Sequence, residues 1–463
     1  MLCAPVEEAF SWGTAGDVAE HVRHLITHSA EQQESVFHQV FGITLAHAME
    51  PMLIFDKSFL ESLNPDEAVW LDNFFATCIT PLFFVETLAD LEKEVRRGRT
   101  PEQVVGSLAY KTPDMNSHVN PHHTWMVLSE LRGDQSIAMD ARMRRADGIV
   151  VQLNDQQGVI YRSSKEEEAF VRWQRGEFLD LERQIAKEWR RGVSGIDYSQ
   201  SYDSFKKLYG SFRKPKNLID AKDIAETLID LLEEEVSFRF GMTLLQVPPD
   251  VQVAAVTRWS AQGRQRLRDF APYFRHIYVV ELFYYLAIGA DLISRVRPAK
   301  KADNKVDIAY LYYLPFCKVF VSSDNLHERV VPLFLREDQT FVKGPLLKAD
   351  LKKLDEHFDA LPQETKAQSL HAFASYPPPD DSFLVTRLWD QHSPNWRKEK
   401  AEKPELSPEL QKALLELTKR LSEQSQPVQD PGSLSIEDVQ YIHVSRQVFR
   451  KKGKWTRLPS EAK

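Results

Sequence analysis

The sequence predicts an α/β protein with a parallel sheet, and two short apolar runs carry the prediction. MLIFD at residues 52–56 and KVFVSSD at residues 318–324 are typical of buried strands that end in an aspartate. Helical patterns follow both runs, as expected for parallel strands joined by crossover helices. Because sites in open α/β sheets lie at the carboxyl ends of the strands, Asp56 and Asp324 are the first functional candidates.

Length and charge limit the classes of protein that fit. At 463 residues and 43% hydrophobic content, the chain can bury a sizeable core and form two or three structural units. A net charge of -8 argues against coating nucleic acid by bulk electrostatics, so a nucleic-acid partner must be held locally.

Cysteine usage and hydropathy indicate a cytoplasmic protein. Cys3, Cys78 and Cys317 are far apart, which excludes a disulfide framework and a thiolate zinc site and favours a reducing location. The first residues lack the basic and apolar regions of a secretory signal. The apolar run 277–293 contains acidic residues and is short for a bilayer, so we expect a buried helix and no membrane partner.

The elements around the first strand have clear boundaries. Asn64, Pro65 and Glu67 form a capping-box helix start, and that helix should run to about Ala76. A second strand is predicted at residues 78–80, followed by a helix from 81 to about 97 that stops at Gly98. Glu86 lies in the first turns of this helix among apolar residues, where an unpaired carboxylate is costly to bury.

From 101 to 275 the sequence is long, charged and predominantly helical. Ser164 and Glu167 predict a helix start whose apolar positions continue to Trp189. A second helix is predicted from Ala221 to Phe240, ended by Gly241. The αβ pattern then resumes, with a helix expected from Asp303 to about Leu314 before the second aspartate-bearing strand.

After residue 335 the pattern weakens. The last segment with a pattern, SRQVFRKKGKWTR at residues 445–457, is either a basic hairpin that grips nucleic acid or a disordered tail.

The acids with strong local signals are Asp56, Glu86, Asp307 and Asp324. If the two aspartate-bearing strands are neighbours, these carboxylates converge at one edge and repel each other unless a hard cation such as Mg²⁺ or Mn²⁺ binds there. Each acid also has a structural interpretation. Asp56 and Asp324 are possible helix or turn caps. Asp307 is a possible capping partner of Asn304, and Asp303 competes with it as a ligand.

Four stretches in this order resemble the PIN-like nuclease superfamily: LIFDKSFL, ITPLFFVETLADL, DNKVDIAYLYYLP and KVFVSSDNL. The resemblance implies a three-layer α/β/α sandwich with a parallel sheet, and metal-dependent cleavage of phosphodiester bonds in RNA or DNA. It implies that Asp56, Glu86 and Asp307 are Mg²⁺ or Mn²⁺ ligands, and that Asp324 binds a second ion or orients the attacking water.

The basic residues before Asp307 are candidates for substrate binding. Arg295, Arg297, Lys300 and Lys301 either guide phosphate into the acidic pocket or form a solvated loop. Ser322 and Ser323, beside Asp324, are candidates to hydrogen-bond a phosphate oxygen.

The predicted organisation has five parts: a helical segment (1–48), a first part of the PIN-like core (49–100), a helical insertion (101–275), a second part of the core (276–345) and a C-terminal extension with a basic tail (346–463). Three functions follow as hypotheses. The first is a metal-dependent endonuclease, the second is a module that binds nucleic acid or protein without cutting, and the third is a toxin or defence effector activated by a regulatory protein. Self-association stays open.

Overall fold

The computed structural model describes the sheet, the helices around it and parts of the flanking sequence. The described residues are 50–95, 98–134, 137–140, 148–153, 156–161, 165–179, 182, 213–231, 234–293, 298–402, 426–427, 441–444 and 448–457. The predicted helical segment 1–48 lies outside them.

The strands are, in chain order, β1 (Met52–Phe55), β2 (Ala76–Ile79), β3 (Ser117–Val119), β4 (Gly148–Leu153), β5 (Gln156–Tyr161), β6 (Val319–Ser322), β7 (Thr340–Lys343), β8 (Gln426–Pro427), β9 (Tyr441–Val444), β10 (Lys451–Lys452) and β11 (Trp455–Thr456).

The helices are, in chain order, α1 (Lys57–Ser62), α2 (Pro65–Phe74), α3 (Pro81–Val95), α4 (Pro101–Lys111), α5 (His123–Arg132), α6 (Lys165–Gln174), α7 (Leu218–Leu231), α8 (Glu234–Leu244), α9 (Pro249–Ala261), α10 (Leu267–Phe270), α11 (Pro272–Gly289), α12 (Pro298–Ala309), α13 (Asn325–Phe334), α14 (Gly344–Asp359), α15 (Gln363–Lys366), α16 (Leu370–Phe373), α17 (Leu384–His392) and α18 (Trp396–Glu402). A 3₁₀ helix, Tyr310–Phe316, connects α12 to β6.

The central sheet has five strands in the order β3-β2-β1-β6-β7, and every neighbouring pair is parallel. The predicted α/β class with a parallel sheet is therefore confirmed, and the two aspartate-bearing strands are neighbours. The chain order reverses beside β1, because β2 and β3 lie on one side of it and β6 and β7 on the other. Such a reversal opens a crevice at the carboxyl ends of the strands.

The composition of β1 explains its place in the centre of the sheet. All four of its residues are buried, and successive side chains of a strand point to opposite faces. Met52 and Ile54 join an apolar cluster with residues of α5, α7 and α11. Leu53 and Phe55 join a second cluster with residues of α2, α4 and α14. Helices therefore cover both faces of the sheet.

The predicted helix start at Asn64 is confirmed in detail. The Asn64 side chain accepts a hydrogen bond from the Glu67 backbone at 2.8 Å, and the Glu67 carboxylate accepts one from the Asn64 backbone at 2.8 Å. The helix ends at Phe74, slightly before the predicted end, because Ala76 already begins β2.

The predicted helix from Asp303 to Leu314 has different boundaries. It begins at Pro298, where a proline suits the first helical turn, and ends at Ala309. A 3₁₀ helix that contains Pro315 follows. Asp307 therefore lies in the last turn of α12, and the expectation that it lies near the helix start was wrong.

The helices of the predicted insertion also differ from expectation. The helix expected from Ala221 to Phe240 is two helices, α7 and α8. Gly241 does not end the second one, which continues to Leu244. A Cβ on Gly241 would lie 2.8 Å from ring carbons of Tyr278, so the glycine permits the close approach of α8 to α11.

The helix predicted to continue to Trp189 ends at Gln174. Gly176, which follows it, has a φ of 75°, a left-handed conformation that suits glycine. Ser164 and Trp189 lie outside the described residues.

Three groups of strands were not predicted, and the first is β3, an edge strand of the central sheet within the segment expected to be helical. β4 and β5 pair antiparallel within the segment expected to be helical, and β8 and β9 complete a four-stranded sheet with them. β7 is an edge strand of the central sheet. It lies after residue 335, where the sequence pattern weakens.

The closing segment contains a β10–β11 hairpin that packs on the protein itself. The Trp455 ring lies edge-on to Trp70 with 4.7 Å between centroids. Arg457 is buried and contacts the carboxylates of Asp72 and Asp114.

The apolar run 277–293 forms most of α11, whose residues are largely buried, as predicted. Among the described helices, none has both the length and the apolar character needed to cross a membrane.

Candidate active site

Four polar side chains form a row across the carboxyl edge of the sheet. The pairing registers, extended by one or two residues, align Asn120 after β3, Thr80 after β2, Asp56 after β1 and Ser322 at the end of β6. A 2.6 Å hydrogen bond from Ser322 Oγ to Asp56 Oδ2 spans two of these strands. Because β1 and β6 flank the reversal of chain order, this row lies at the expected position of a site.

Asp56 is buried, with 3% of its surface exposed, and protein donors use both of its oxygens. Oδ1 accepts a hydrogen bond from the Phe59 backbone at 2.9 Å, which makes Asp56 the N-cap of α1. Oδ2 accepts from the hydroxyls of Ser58 at 2.8 Å and Ser322 at 2.6 Å. The capping interpretation of Asp56 is thus present in the structure, alongside its position at the sheet edge.

His327 is the cation that balances Asp56. Its Nδ1 lies 3.4 Å from Asp56 Oδ2 and 2.7 Å from Ser322 Oγ. Its Nε2 lies 2.8 Å from the backbone oxygen of Asp307, which can only accept, so Nε2 carries a proton. Because the Ser322 hydroxyl proton goes to Asp56, Nδ1 must also carry a proton to bond Ser322. His327 is therefore an imidazolium.

The pKa values of this pair agree with the hydrogen-bond pattern. Burial alone would lower the pKa of His327, but the close carboxylate of Asp56, 3.4 Å away, and the charge of Asp307 raise it to about 9. Burial alone would raise the pKa of Asp56, yet the close positive charge of His327, with the Ser322 hydroxyl, keeps it below its ordinary value. Both groups are charged at neutral pH.

Tyr310 connects Glu86 to the Asp56–His327 pair. Its hydroxyl donates to Glu86 Oε2 at 2.9 Å, and its ring lies edge-on to His327 at 5.5 Å. Burial raises the pKa of Tyr310 well above 10, and the negative charges of Glu86, Asp56 and Asp307 raise it further. Tyr310 thus contacts Glu86 through its hydroxyl and, through its ring, the histidine that pairs with Asp56.

The fourth acid has a clear local role. Asp324 is the N-cap of α13, and its Oδ1 accepts from the Leu326 backbone at 2.5 Å. Its own backbone donates to Ser322 Oγ at 2.9 Å.

Ser323 is exposed, and a Cβ on Gly344 would lie 2.1 Å from its hydroxyl oxygen. Ser323 therefore fills the space beside the first turn of α14.

The predicted basic residues cannot be located at the site. Arg295 and Arg297 lie outside the described residues. The backbone of Lys300, Lys301 and Asp303 belongs to α12, but their side chains are outside the described part of the structure.

Sequence reasoning missed His327, Tyr310, Thr80 and Asn120. Thr80 had a usable signal, because it is the polar residue that ends the predicted strand 78–80, whereas Asn120 had none, because β3 was not predicted. No local signal marked His327, because its role depends on its contact with Asp56, which lies far away in the sequence.

The oxygen-rich donor set suits a hard cation in its chemistry. However, no three histidine, cysteine, aspartate or glutamate side chains converge as a ready metal centre within the described residues. Three donors occupy Asp56, and only one of them bonds Oδ1, so an ion would bind the remaining lone pair of Oδ1 or replace a present partner.

The fold and the site define an α/β protein with a buried aspartate–histidine pair at the switch point of a parallel sheet. Comparisons with protein-family models, curated proteins and solved structures found no match to this chain. The geometry of the site is therefore the basis for its function.

Proposed function

We propose that this protein is a metal-dependent nuclease that hydrolyses phosphodiester bonds of RNA or DNA, as its PIN-like sequence stretches suggest. One observation carries the proposal: Asp56 and the backbone oxygen of Asp307 both contact His327, whose ring packs edge-on against Tyr310, the hydrogen-bond donor to Glu86. Oxygen ligands of this kind suit a divalent cation, and binding one would give these acids a shared role at this edge.

In this proposal Glu86, Asp307 and Asp56 hold Mg²⁺ or Mn²⁺. The bound ion would polarise the scissile phosphate and lower the pKa of a water molecule for in-line attack. The side chains of the protein supply geometry and charge. Tyr310 fixes one oxygen of Glu86 by its hydrogen bond, while the N-cap bond from Phe59 fixes one oxygen of Asp56.

Ser323 has the exposure needed to donate a hydrogen bond to a phosphate oxygen. Asp324, fixed as the cap of α13, would orient the attacking water or a second ion. Ser322 acts through Asp56, because its hydroxyl is already bonded to that carboxylate.

The test uses purified full-length protein with labelled single- and double-stranded RNA and DNA in Mg²⁺, Mn²⁺ or EDTA. Glu86→Gln and Asp307→Asn keep side-chain shape and remove charge. We expect each to lower metal-dependent cleavage by at least about 100-fold, the usual cost of removing a group that stabilises the transition state. Asp338→Asn is the matched control, because Asp338 pairs with Lys318 at the opposite edge of the sheet. Full activity in both site variants would refute the proposal.

A second function, binding without cleavage, is favoured by the Asp56–His327 ion pair, because Asp56 already has a cationic partner. Calorimetric titration with Mn²⁺ separates the two functions. Saturable binding that Glu86→Gln abolishes supports the nuclease, whereas an absence of binding together with retained affinity for nucleic acid supports the binding module. Activation by a regulatory protein would appear as cleavage only in the presence of that partner.

A further inference from the structure

The corner between β3 and α5, residues 120–125, presents aromatic rings at the carboxyl edge of the sheet. Trp125, in the first turn of α5, is 39% exposed although it is a large apolar side chain. His122 is exposed, and its ring stacks on His123 with 4.4 Å between centroids and 30° between planes. His123 in turn contacts the ring of Tyr312 at 4.8 Å. Exposed ring surfaces are therefore available at this corner.

Beside these rings, buried polar groups lack partners. Thr80 Oγ1 and both amide atoms of Asn120 make no hydrogen bond, and the two residues are 0% and 2% exposed. Nδ1 of His123 is also buried without a partner. Buried polar groups in folded proteins are nearly always paired, so an unpaired amide and hydroxyl side by side point to a ligand that pairs with them.

The chemistry of these groups identifies the ligand. The amide of Asn120 and the hydroxyl of Thr80 each offer a donor and an acceptor without charge, which matches the edge of a nucleobase. The exposed rings match its flat face, because bases stack on aromatic side chains. Burial, with the nearby charge of Lys305, keeps the pKa of His123 low, so this ring is neutral.

Electrostatics favours a base over a phosphate at this corner. Asn120 lies two strands from Asp56, about 10 Å at the usual strand spacing. Asp56 is paired with His327, and Lys305, whose charge acts on His123, is paired with Glu281. Neither pair therefore offers a phosphate an uncompensated cation, whereas a neutral base needs none. In a duplex, the flat face and the pairing edge of a base are both hidden, whereas in a single strand they are free.

We propose that the β3–α5 corner docks an unpaired nucleobase, stacked on Trp125 and His122 and hydrogen-bonded by Asn120, so that the substrate is single-stranded nucleic acid. This inference rests on the proposed function for its choice of ligand, although docking does not require cleavage. It names the substrate as single-stranded and assigns its contact residues.

The test is fluorescence anisotropy of the full-length protein with labelled single-stranded and duplex RNA and DNA of mixed sequence, in EDTA so that metal-dependent cleavage is off. We expect tighter binding of one single strand than of its duplex. Trp125→Ala should weaken that binding by about 5- to 150-fold, the range for loss of one base–aromatic stack, and Trp125→Phe should restore most of it. Asn120→Ala should also weaken it.

Val253→Ala is the matched control, because Val253 is an exposed apolar residue of α9. Circular dichroism checks that each variant is folded. If Trp125→Ala and Asn120→Ala bind as tightly as wild type, or if the wild type binds no nucleic acid or prefers duplex, the docking inference is wrong.

The outcomes separate this inference from the proposed function. If binding depends on Trp125 but no metal supports cleavage, the docking inference stands and the nuclease proposal is wrong. If cleavage depends on Glu86 but is unchanged in Trp125→Ala, the nuclease proposal stands and the docking inference is wrong.

Discussion

Arg457 holds the C-terminal hairpin against the core through buried charges, and its replacement by methionine should destabilise the protein strongly. The side chain is 0% exposed and contacts carboxylate oxygens of both Asp72 and Asp114. Lys452 Nζ lies 3.4 Å from the second carboxylate of this group and donates to the Thr112 backbone at 2.9 Å. The two cations and two anions balance each other.

The magnitude follows from the charge left behind. Methionine keeps much of the arginine stem but no charge, so Lys452 alone would face Asp72 and Asp114 in a buried site. Burial opposes ionisation of Asp114, but the charges of Arg457 and Lys452 outweigh it and hold its pKa at about 2. Breaking a buried ion pair from one side costs about 3–5 kcal/mol, which is a large part of a typical folding free energy of about 5–15 kcal/mol.

The assay is urea unfolding at pH 7, followed by circular dichroism and tryptophan fluorescence. Arg450→Met is the matched control, because Arg450 lies on the same segment with an exposed side chain. Adding Asp114→Asn to Arg457→Met should recover at least about 1 kcal/mol if an uncompensated charge causes the loss. A destabilisation by Arg457→Met within about 1 kcal/mol of the control would refute the reasoning.

Three further outcomes are expected in the same unfolding assay. His327→Gln should cost about 3–5 kcal/mol by leaving Asp56 buried without its cation, and adding Asp56→Asn should recover part of that loss. Burial raises the pKa of Glu130 from 4.5 to about 7, so its contribution is fully present below pH 4.5 and is lost as pH rises through 7. Glu130→Gln should remove this pH dependence, which amounts to about 3 kcal/mol. Gly241→Ala should cost about 1–3 kcal/mol by overpacking against Tyr278, and no loss would show that α8 and α11 can separate freely.

The parts of the fold that sequence reasoning predicted are those with local causes. β1 was predictable because four consecutive apolar residues suit a strand buried on both faces, and α2 because Asn64 and Glu67 cap it within a few residues. β7 was not, since it is an edge strand with only one buried residue among its four, Val342, and its apolar signal is correspondingly weak.

The candidate site divides in the same way. Asp56 and Ser322 were found because each ends an apolar strand, but the hydrogen bond between them joins positions 266 residues apart. His327 gives no local sign that it is the partner of Asp56. Arg457 was placed in a basic tail, because a buried cation and a solvated one look alike until the carboxylate 385 residues away is known.

The pairing of β1 with β6 has a consequence for how the protein is made. One side of β1 has no partner until β6 has been synthesised, 266 residues later by the Asp56–Ser322 separation. At roughly 5–20 residues per second, this interval lasts about 15–50 s. During that time an apolar strand edge can pair with other chains. The nascent chain therefore has to be shielded until both halves of the sheet have left the ribosome, and yield in a foreign host should depend on chaperone supply more than on the stability of the finished fold.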